Sequence, residues 1–269
     1  MIDVIKQQFT EAMPRHVRLN KTREFMQALC LKIMSERGVF DRVAFLGGTA
    51  LRMMFQLRRF SEDLDFSLLK AGEIDVPALS VEFVKDLRLY GFQPEVKVKA
   101  VGVVRSMMLK FPGLLRELGL SPLQDEKLAI KWDVDTNPPQ GGVSVSGMLN
   151  RYFTFRVVHY DLPSLFAGKL HACLFRNYAK GRDWYDFIWY VTKKIRPNLV
   201  LFKNAVRQTE KKELEIDEAG LADFLIERIK CVDFKTLGKD VERFLEDPAE
   251  LSIFDRDAIA QTIRTHYAV

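Results

Sequence analysis

Polar and apolar positions alternate in short stretches over the first 160 residues and recur at helical spacing over most of the rest. Val43 to Leu46 is a short apolar run. Leu64 and Phe66 alternate with Asp63 and Asp65, and Leu128, Ile130, Trp132 and Val134 with Ala129, Lys131, Asp133 and Asp135. A period of two sends alternate side chains to opposite faces of a strand, so each stretch predicts a strand with one apolar and one polar face. Further strands are expected over Glu95 to Val98, Ser106 to Phe111 and Tyr152 to Val158.

Helical spacing appears first at Phe25, Leu29 and Ile33, predicting a helix over Lys21 to Arg37 closed by Gly38; a short helix and a turn precede it. Pro77 to Tyr90 predicts a second helix, stopped by Gly91, and a Gly/Leu-rich link runs through Pro122. Leu162 to Tyr178 and a segment beginning at Arg182 predict two more. Asn198 to Val269 reads as three or four amphipathic helices, among them Asp217 to Lys230 and Asp233 to Leu245. The expected organisation is two lobes of an α/β (α+β) protein: residues 1–160, rich in strands, and residues 161–269, mainly helical.

Composition narrows the class. A chain of 269 residues can bury a sizeable core, and 48% hydrophobic with 29% charged residues is ordinary for a globular protein. The net charge of +5 favours a polyanionic partner. Cys30, Cys173 and Cys231 are widely separated in apolar, helical surroundings and read as reduced core thiols, with no zinc spacing. No signal peptide and no membrane-spanning run is expected, so the expected location is the cytoplasm. His16, His159, His171 and His266 form no ligand motif, and neither a Walker A sequence nor a nucleophile elbow occurs.

The candidate chemistry centres on Phe45 to Leu68. Asp63 and Asp65 share one strand face, where two carboxylates about 4 Å apart repel by roughly 4 kcal/mol at an effective dielectric near 20. A divalent cation relieves that repulsion, and hard oxygen ligands of this kind suit Mg²⁺ with substrate phosphates. Gly47-Gly48-Thr49, at a strand-to-helix turn, can offer N–H groups and a hydroxyl to those phosphates. The plainer explanation of D-x-D alone is the wet face of an edge strand. Further along, Asp183 and Asp186 are three residues apart on one helical face, which capping and salt bridges explain when each is taken alone. Lys169 lies beside the apolar stripe of the preceding helix.

Taken together, the blocks are more specific. A glycine turn, a short helix and a strand bearing D-x-D resemble the DNA polymerase β-like nucleotidyltransferase superfamily. Arg59, Ser61, Asp63 and Asp65 in RRFSEDLDFS, then Lys169-Leu170-x-Ala172, then Arg176, Arg182, Asp183 and Asp186 resemble the AbiEii/AbiGii toxin family in the family's order. The resemblance implies a polymerase β-like core with a mixed sheet and a helical C-terminal lobe completing the active site. It implies a third carboxylate from a neighbouring strand, best placed at Asp133, with Asp135 the alternative. It also implies the roles. Asp63, Asp65 and Asp133 hold Mg²⁺ (Mn²⁺ as a substitute), and Gly47, Gly48, Thr49, Arg59 and Ser61 meet the NTP. Lys169 offsets charge on pyrophosphate, Asp183 orients Lys169 or binds nucleotide, and Asp186 assists. The implied system is a bacterial toxin–antitoxin pair of the abortive-infection, phage-defence type with a separately encoded antitoxin. The implied acceptor is the 3′ end of tRNA, so that translation is blocked. Nucleotidylation of a protein or small molecule, and a non-catalytic nucleotide-binding module, stay open on the sequence.

Overall fold

The computed structural model describes residues 1–70, 74–123 and 125–268. Along the chain run α1 (Ile2–Lys6), α2 (Arg15–Glu36), β1 (Val43–Leu46), α3 (Gly47–Phe55), β2 (Leu64–Leu68), α4 (Val76–Leu89), β3 (Glu95–Lys99), β4 (Val104–Phe111), α5 (Leu114–Glu117) and β5 (Leu128–Asp135). They are followed by β6 (Ser144–Asn150), β7 (Thr154–Tyr160), α6 (Leu162–Phe175), α7 (Gly181–Thr192), α8 (Leu199–Glu210), α9 (Leu221–Ile229), α10 (Phe234–Val241) and α11 (Arg256–Tyr267). The chain forms two compact units. The first comprises Met1–Gln56, Phe60–Pro138 and Val145–His159; the second comprises Leu57–Arg59, Pro139–Ser144 and Tyr160–Val269.

The first unit is built on a mixed seven-stranded sheet of order β3-β4-β5-β2-β1-β7-β6. β1 pairs antiparallel with β2 and parallel with β7; β2 pairs parallel with β5, and β5, β4 and β3 continue antiparallel. The alternation read in β5 holds, with Leu128, Ile130, Trp132 and Val134 buried and the residues between them half-exposed. On the buried face Phe66 stacks on Phe45 at 5.4 Å between centroids and meets Trp132 at 5.3 Å, and the Trp132 indole points at Met34 Sδ of α2. Rings at these separations add about 0.5–1.5 kcal/mol per pair beyond the area they bury.

Some elements depart from the sequence reading. Helix α2 starts at Arg15 rather than Lys21. Pro14 sets its first turn, and Arg18 donates to the main-chain oxygens of Thr10, Glu11 and Met13, tying down the preceding residues. Strand β6 was not expected, because SVSGMLN lacks clean alternation. Gly147 within it is a packing requirement: a Cβ there would lie 3.0 Å from His159 Nε2. The Gly/Leu link contains the short α5, and α6 ends at Phe175, short of Tyr178. Cys30 is buried, and burial pushes its thiol up to about 12. Cys173 is half-buried, and Cys231 is exposed just past α9, so that thiol is not a core residue.

The second unit is helical. Ring contacts link its helices: Phe166 of α6 stacks on Tyr190 of α7 at 4.4 Å, and Trp184 of α7 meets Phe234 of α10 edge-on at 5.5 Å. Among the described residues no helix is long and apolar enough to cross a membrane.

Phe66 joins three strands' worth of aromatic packing, so Phe66→Ala should cost about 3–5 kcal/mol of unfolding free energy. Urea denaturation followed by tryptophan fluorescence checks this through Trp132. A loss below 1 kcal/mol would show that these ring contacts do not hold the sheet.

Candidate active site

In the first unit the pairing register brings the predicted carboxylates together. Asp65 and Asp133 are direct Cα partners across the β2–β5 pair, flanked by Leu64↔Trp132 and Phe66↔Val134. Since Trp132 and Phe66 are buried on one face, the two aspartates must project from the other. Asp63, two residues before Asp65, directly precedes β2, and its charge acts on Lys131 of β5. Asp135 falls opposite Ser67 instead, and its Oδ1 accepts from the Asn137 N–H at 2.9 Å. Burial raises the Asp135 carboxyl above the usual carboxylate range, with that hydrogen bond opposing.

A lysine lies within this acidic group. Lys131 Nζ donates to Asp133 Oδ2 at 2.5 Å. That hydrogen bond raises the ammonium above its ordinary pKa; burial opposes it, and the fields of Asp133, Asp63 and Asp65 add to the rise. The other oxygen, Asp133 Oδ1, is buried without a hydrogen-bond partner. Alternation alone placed Lys131 beside Asp133, but its role as counter-ion to three carboxylates needed the strand register.

The glycine turn is shaped to the same group. Gly47 has φ +79°, the left-handed region that favours glycine, and a Cβ there would overlap Asp65 Oδ2. The Asp65 carboxylate therefore lies against the turn at the start of α3. Gly48 and Thr49 are buried in the first turn of that helix. Thr49 Oγ1 donates to the main-chain oxygen of Asp63, so its hydroxyl fixes the aspartate's backbone. Ser61, half-buried, accepts at its main-chain oxygen from Gln27 Nε2 of α2 at 3.3 Å. Behind the turn, Arg52 of α3 is held by buried Glu24 of α2 at 2.7 Å and lies over the Phe60 ring at 4.5 Å. Sequence reasoning missed Glu24, Gln27 and Arg52, which look like ordinary polar residues on amphipathic helices.

The residues present fit a hard divalent cation. They offer carboxylate oxygens on adjacent strands, an unpartnered buried oxygen on Asp133, and a glycine turn whose missing side chain lets the Asp65 carboxylate sit against it. Among the described residues no group of three or more His, Cys, Asp or Glu is gathered closely enough to hold a metal alone. Mg²⁺ commonly takes only one or two carboxylates and completes its coordination with water or phosphate oxygens. A separate cavity of about 650 Å³ lies between the end of α2 and α4, lined by Arg37, Arg42, Asp75 and Glu82 among others, and holds none of the predicted residues.

In the second unit the remaining predicted residues form one charged network. Lys169 Nζ lies 2.6 Å from Asp183 Oδ1 and 2.9 Å from Asp186 Oδ2. Arg59 grips Asp186 bidentately, Nε to Oδ1 and Nη2 to Oδ2, each at 2.6 Å, and Arg176 pairs with Asp183. The side chains of Arg59 and Asp186 are 3% and 0% exposed. Burial by itself would lower the Lys169 pKa, but Asp186 and Asp183 outweigh it and hold the ammonium above its usual range. Burial likewise opposes ionisation of Asp183, and Lys169 with Arg176 overcomes it, leaving that carboxyl below the carboxylate range. Asp183 thus does more than favour a helix start. The backbone supports the same arrangement: Arg59 bridges to Leu245, and Arg58 accepts from the Glu246 N–H. Arg182 stacks on Phe244 at 4.3 Å, and His171 meets Thr209 at 2.8 Å.

The family described as nucleotidyl transferase AbiEii toxin, type IV TA system, matches residues 29–260. The crystal structure of JHP933 from Helicobacter pylori superposes with a TM-score of 0.52 at 19% identity, over 91% of this chain and 92% of that one, a likeness of fold. A candidate nucleotidyltransferase from H. pylori matches with a TM-score of 0.49 at 19% identity, over 96% of each chain. No curated protein matches.

Two substitutions probe the two clusters. Gly47→Ala forces a methyl into the Asp65 carboxylate at a strained φ and should lower stability by about 1–3 kcal/mol; a melting temperature equal to that of the unmutated chain would contradict the packing described. Asp186→Asn leaves Arg59 and Lys169 buried with one compensating charge fewer and should cost about 3–5 kcal/mol. Asp183→Asn, at a more open position, should cost less. Chemical denaturation of the two variants side by side checks the order.

Proposed function

Because the chain belongs to the AbiEii nucleotidyltransferase toxin family of type IV toxin–antitoxin systems, we propose that it transfers a nucleoside monophosphate from an NTP to the 3′ end of tRNA. The chain is a nucleotidyltransferase by family, and an antitoxin partner goes with that membership; that the antitoxin is separately encoded, acting in phage defence, belongs to the proposal. The observation that carries the reading is the register setting Asp65 beside Asp133, with Asp65 against Gly47 and one Asp133 oxygen without a partner.

In this mechanism the acceptor hydroxyl oxygen bonds to the α-phosphorus, the bond from that phosphorus to the β-phosphate oxygen breaks, and pyrophosphate leaves. Asp133 is the residue that orients the acceptor hydroxyl and takes its proton; Asp135, bonded into its own turn, is the less suited carboxylate. Asp63, Asp65 and Asp133 would hold Mg²⁺ or Mn²⁺. Such an ion supplies charge neutralisation at the triphosphate and at the attacking and leaving oxygens. Lys131 offsets the acidic group from within its own face. The N–H groups of Gly47 and Gly48 at the α3 start suit phosphate oxygens. To Lys169 we assign charge compensation on pyrophosphate, with Asp183 and Asp186 fixing its ammonium and Arg59 fixing Asp186. Arg59 and Asp186 act in this scheme through Lys169 rather than on the nucleotide.

The test is transfer of label from each α-labelled NTP, with Mg²⁺ and total RNA. Label should appear on tRNA, and Asp65→Asn should lower the rate by about 10²-fold or more. Equal transfer by that variant would refute the assigned roles. Label on protein or a small molecule, with none on RNA, would move the acceptor to another class.

A further inference from the structure

The strand register extends the acidic group into a row that crosses the outer half of the sheet. Asp65 pairs with Asp133, Asp133 with Ser106, and Ser106 with Lys99. One step along the strands, Lys131 pairs with Met108 and Met108 with Lys97. Residues directly opposite one another in a sheet project from the same face. Lys97, Lys99, Ser106, Met108 and Lys131 therefore share the face that carries Asp65 and Asp133. Burial agrees, because Met107 and Leu109 of β4 are buried on the other side, where α4 packs. On the shared face Lys97, Lys99 and Lys110 are exposed, while Ser106, Met108 and Ala129 are half-buried.

β3 is the outer edge strand, and its cations are available. Lys127 is paired with Glu95 at 2.7 Å, whereas among the described residues the side chains of Lys97 and Lys99 take part in none of the ion pairs found. Lysines 97 and 99 stand about 7 Å apart along β3, and two strand spacings, about 10 Å, separate β3 from β5. At a rise of about 3.4 Å per stacked nucleotide, those spans correspond to about two and three nucleotides. Between them Met108 makes an apolar floor, and Ser106 adds a hydroxyl that can bond a phosphate or a ribose 2′-OH.

We propose that the open face of β3–β4–β5 is the acceptor track. On it the last three or so nucleotides of a single-stranded RNA 3′ end lie with phosphates on Lys97 and Lys99, bases or riboses over Met108, and the terminal hydroxyl at Asp133. The occupant follows from charge and reach: the edge is cationic, the row ends on the carboxylate assigned to the acceptor, and the distance is that of a short single strand. This rests on the RNA-acceptor reading above and adds to it the surface that makes the contact.

The test uses the full chain without NTP, so that binding is read without turnover. Fluorescence anisotropy with a labelled single-stranded RNA oligonucleotide compares the unmutated chain with Lys97→Glu/Lys99→Glu. Lys235→Glu/Lys239→Glu gives the same net-charge change on exposed lysines of the second unit. The β3 pair should weaken binding about tenfold or more and reduce the slope of log K against log salt by about 1.4, the contribution of two phosphate contacts on a single strand. The control pair should leave both quantities near their starting values. Lys97→Gln/Lys99→Gln, which removes charge without reversing it, should give a smaller loss of the same kind and keeps the test sound if charge reversal unsettles the edge strand. If the unmutated chain labels RNA but the β3 variants bind it with unchanged affinity and salt slope, the track is wrong and the RNA reading stands. An equal loss in the control pair also overturns the track. If the unmutated chain neither binds nor labels RNA, both fall.

Discussion

One constraint governs the first unit: β2 and β5 run side by side in a register that aligns Leu64 with Trp132 and Phe66 with Val134. Burying those four apolar side chains on one face obliges Asp65 and Asp133 to meet on the other. Carboxylates at such spacing repel by a few kcal/mol in an intermediate dielectric. The hydrophobic face sustains the cost, because a one-residue slip would turn every apolar residue of the strand to the wrong side. The acidic group is thus a consequence of core packing, and Lys131 within it lowers the repulsion.

What surrounds that group keeps it in place. Gly47 removes the Cβ that would displace Asp65, Thr49 fixes the Asp63 backbone, and Gln27 fixes the main chain at Ser61. Arg52, clamped by Glu24 and lying over Phe60, ties α3 to α2 behind the turn. Each contact acts on backbone or on a side chain already packed, so the carboxylates are held in place by groups that have little freedom of their own.

The second unit solves a different electrostatic problem. Burying Lys169 and Arg59 is unfavourable unless each charge is answered, and Asp183 and Asp186 answer both while Arg176 completes the balance. Such a network is a weak source of net stability, but it defines geometry strictly, since removing one member strands the others. Its value lies in holding one ammonium in a fixed position and charge state.

The sequence by itself determined the type and most boundaries of the elements, since hydrophobic period depends only on local order. It also pointed to the family, whose model matches residues 29–260. It missed β6, where Gly147 answers to His159 rather than to its neighbours, and it began α2 too late, where Arg18 reaches back to main-chain oxygens. Tertiary structure alone decided that Asp133 and not Asp135 stands beside Asp65, and that Thr49 serves Asp63. It also decided that Arg59 belongs to Asp186, and that Lys97 and Lys99 share a face with the carboxylates. The physical reason is common to all four. Register and long-range pairing are set by how separate segments pack together, and no local period records which residue of one strand will stand opposite which residue of another.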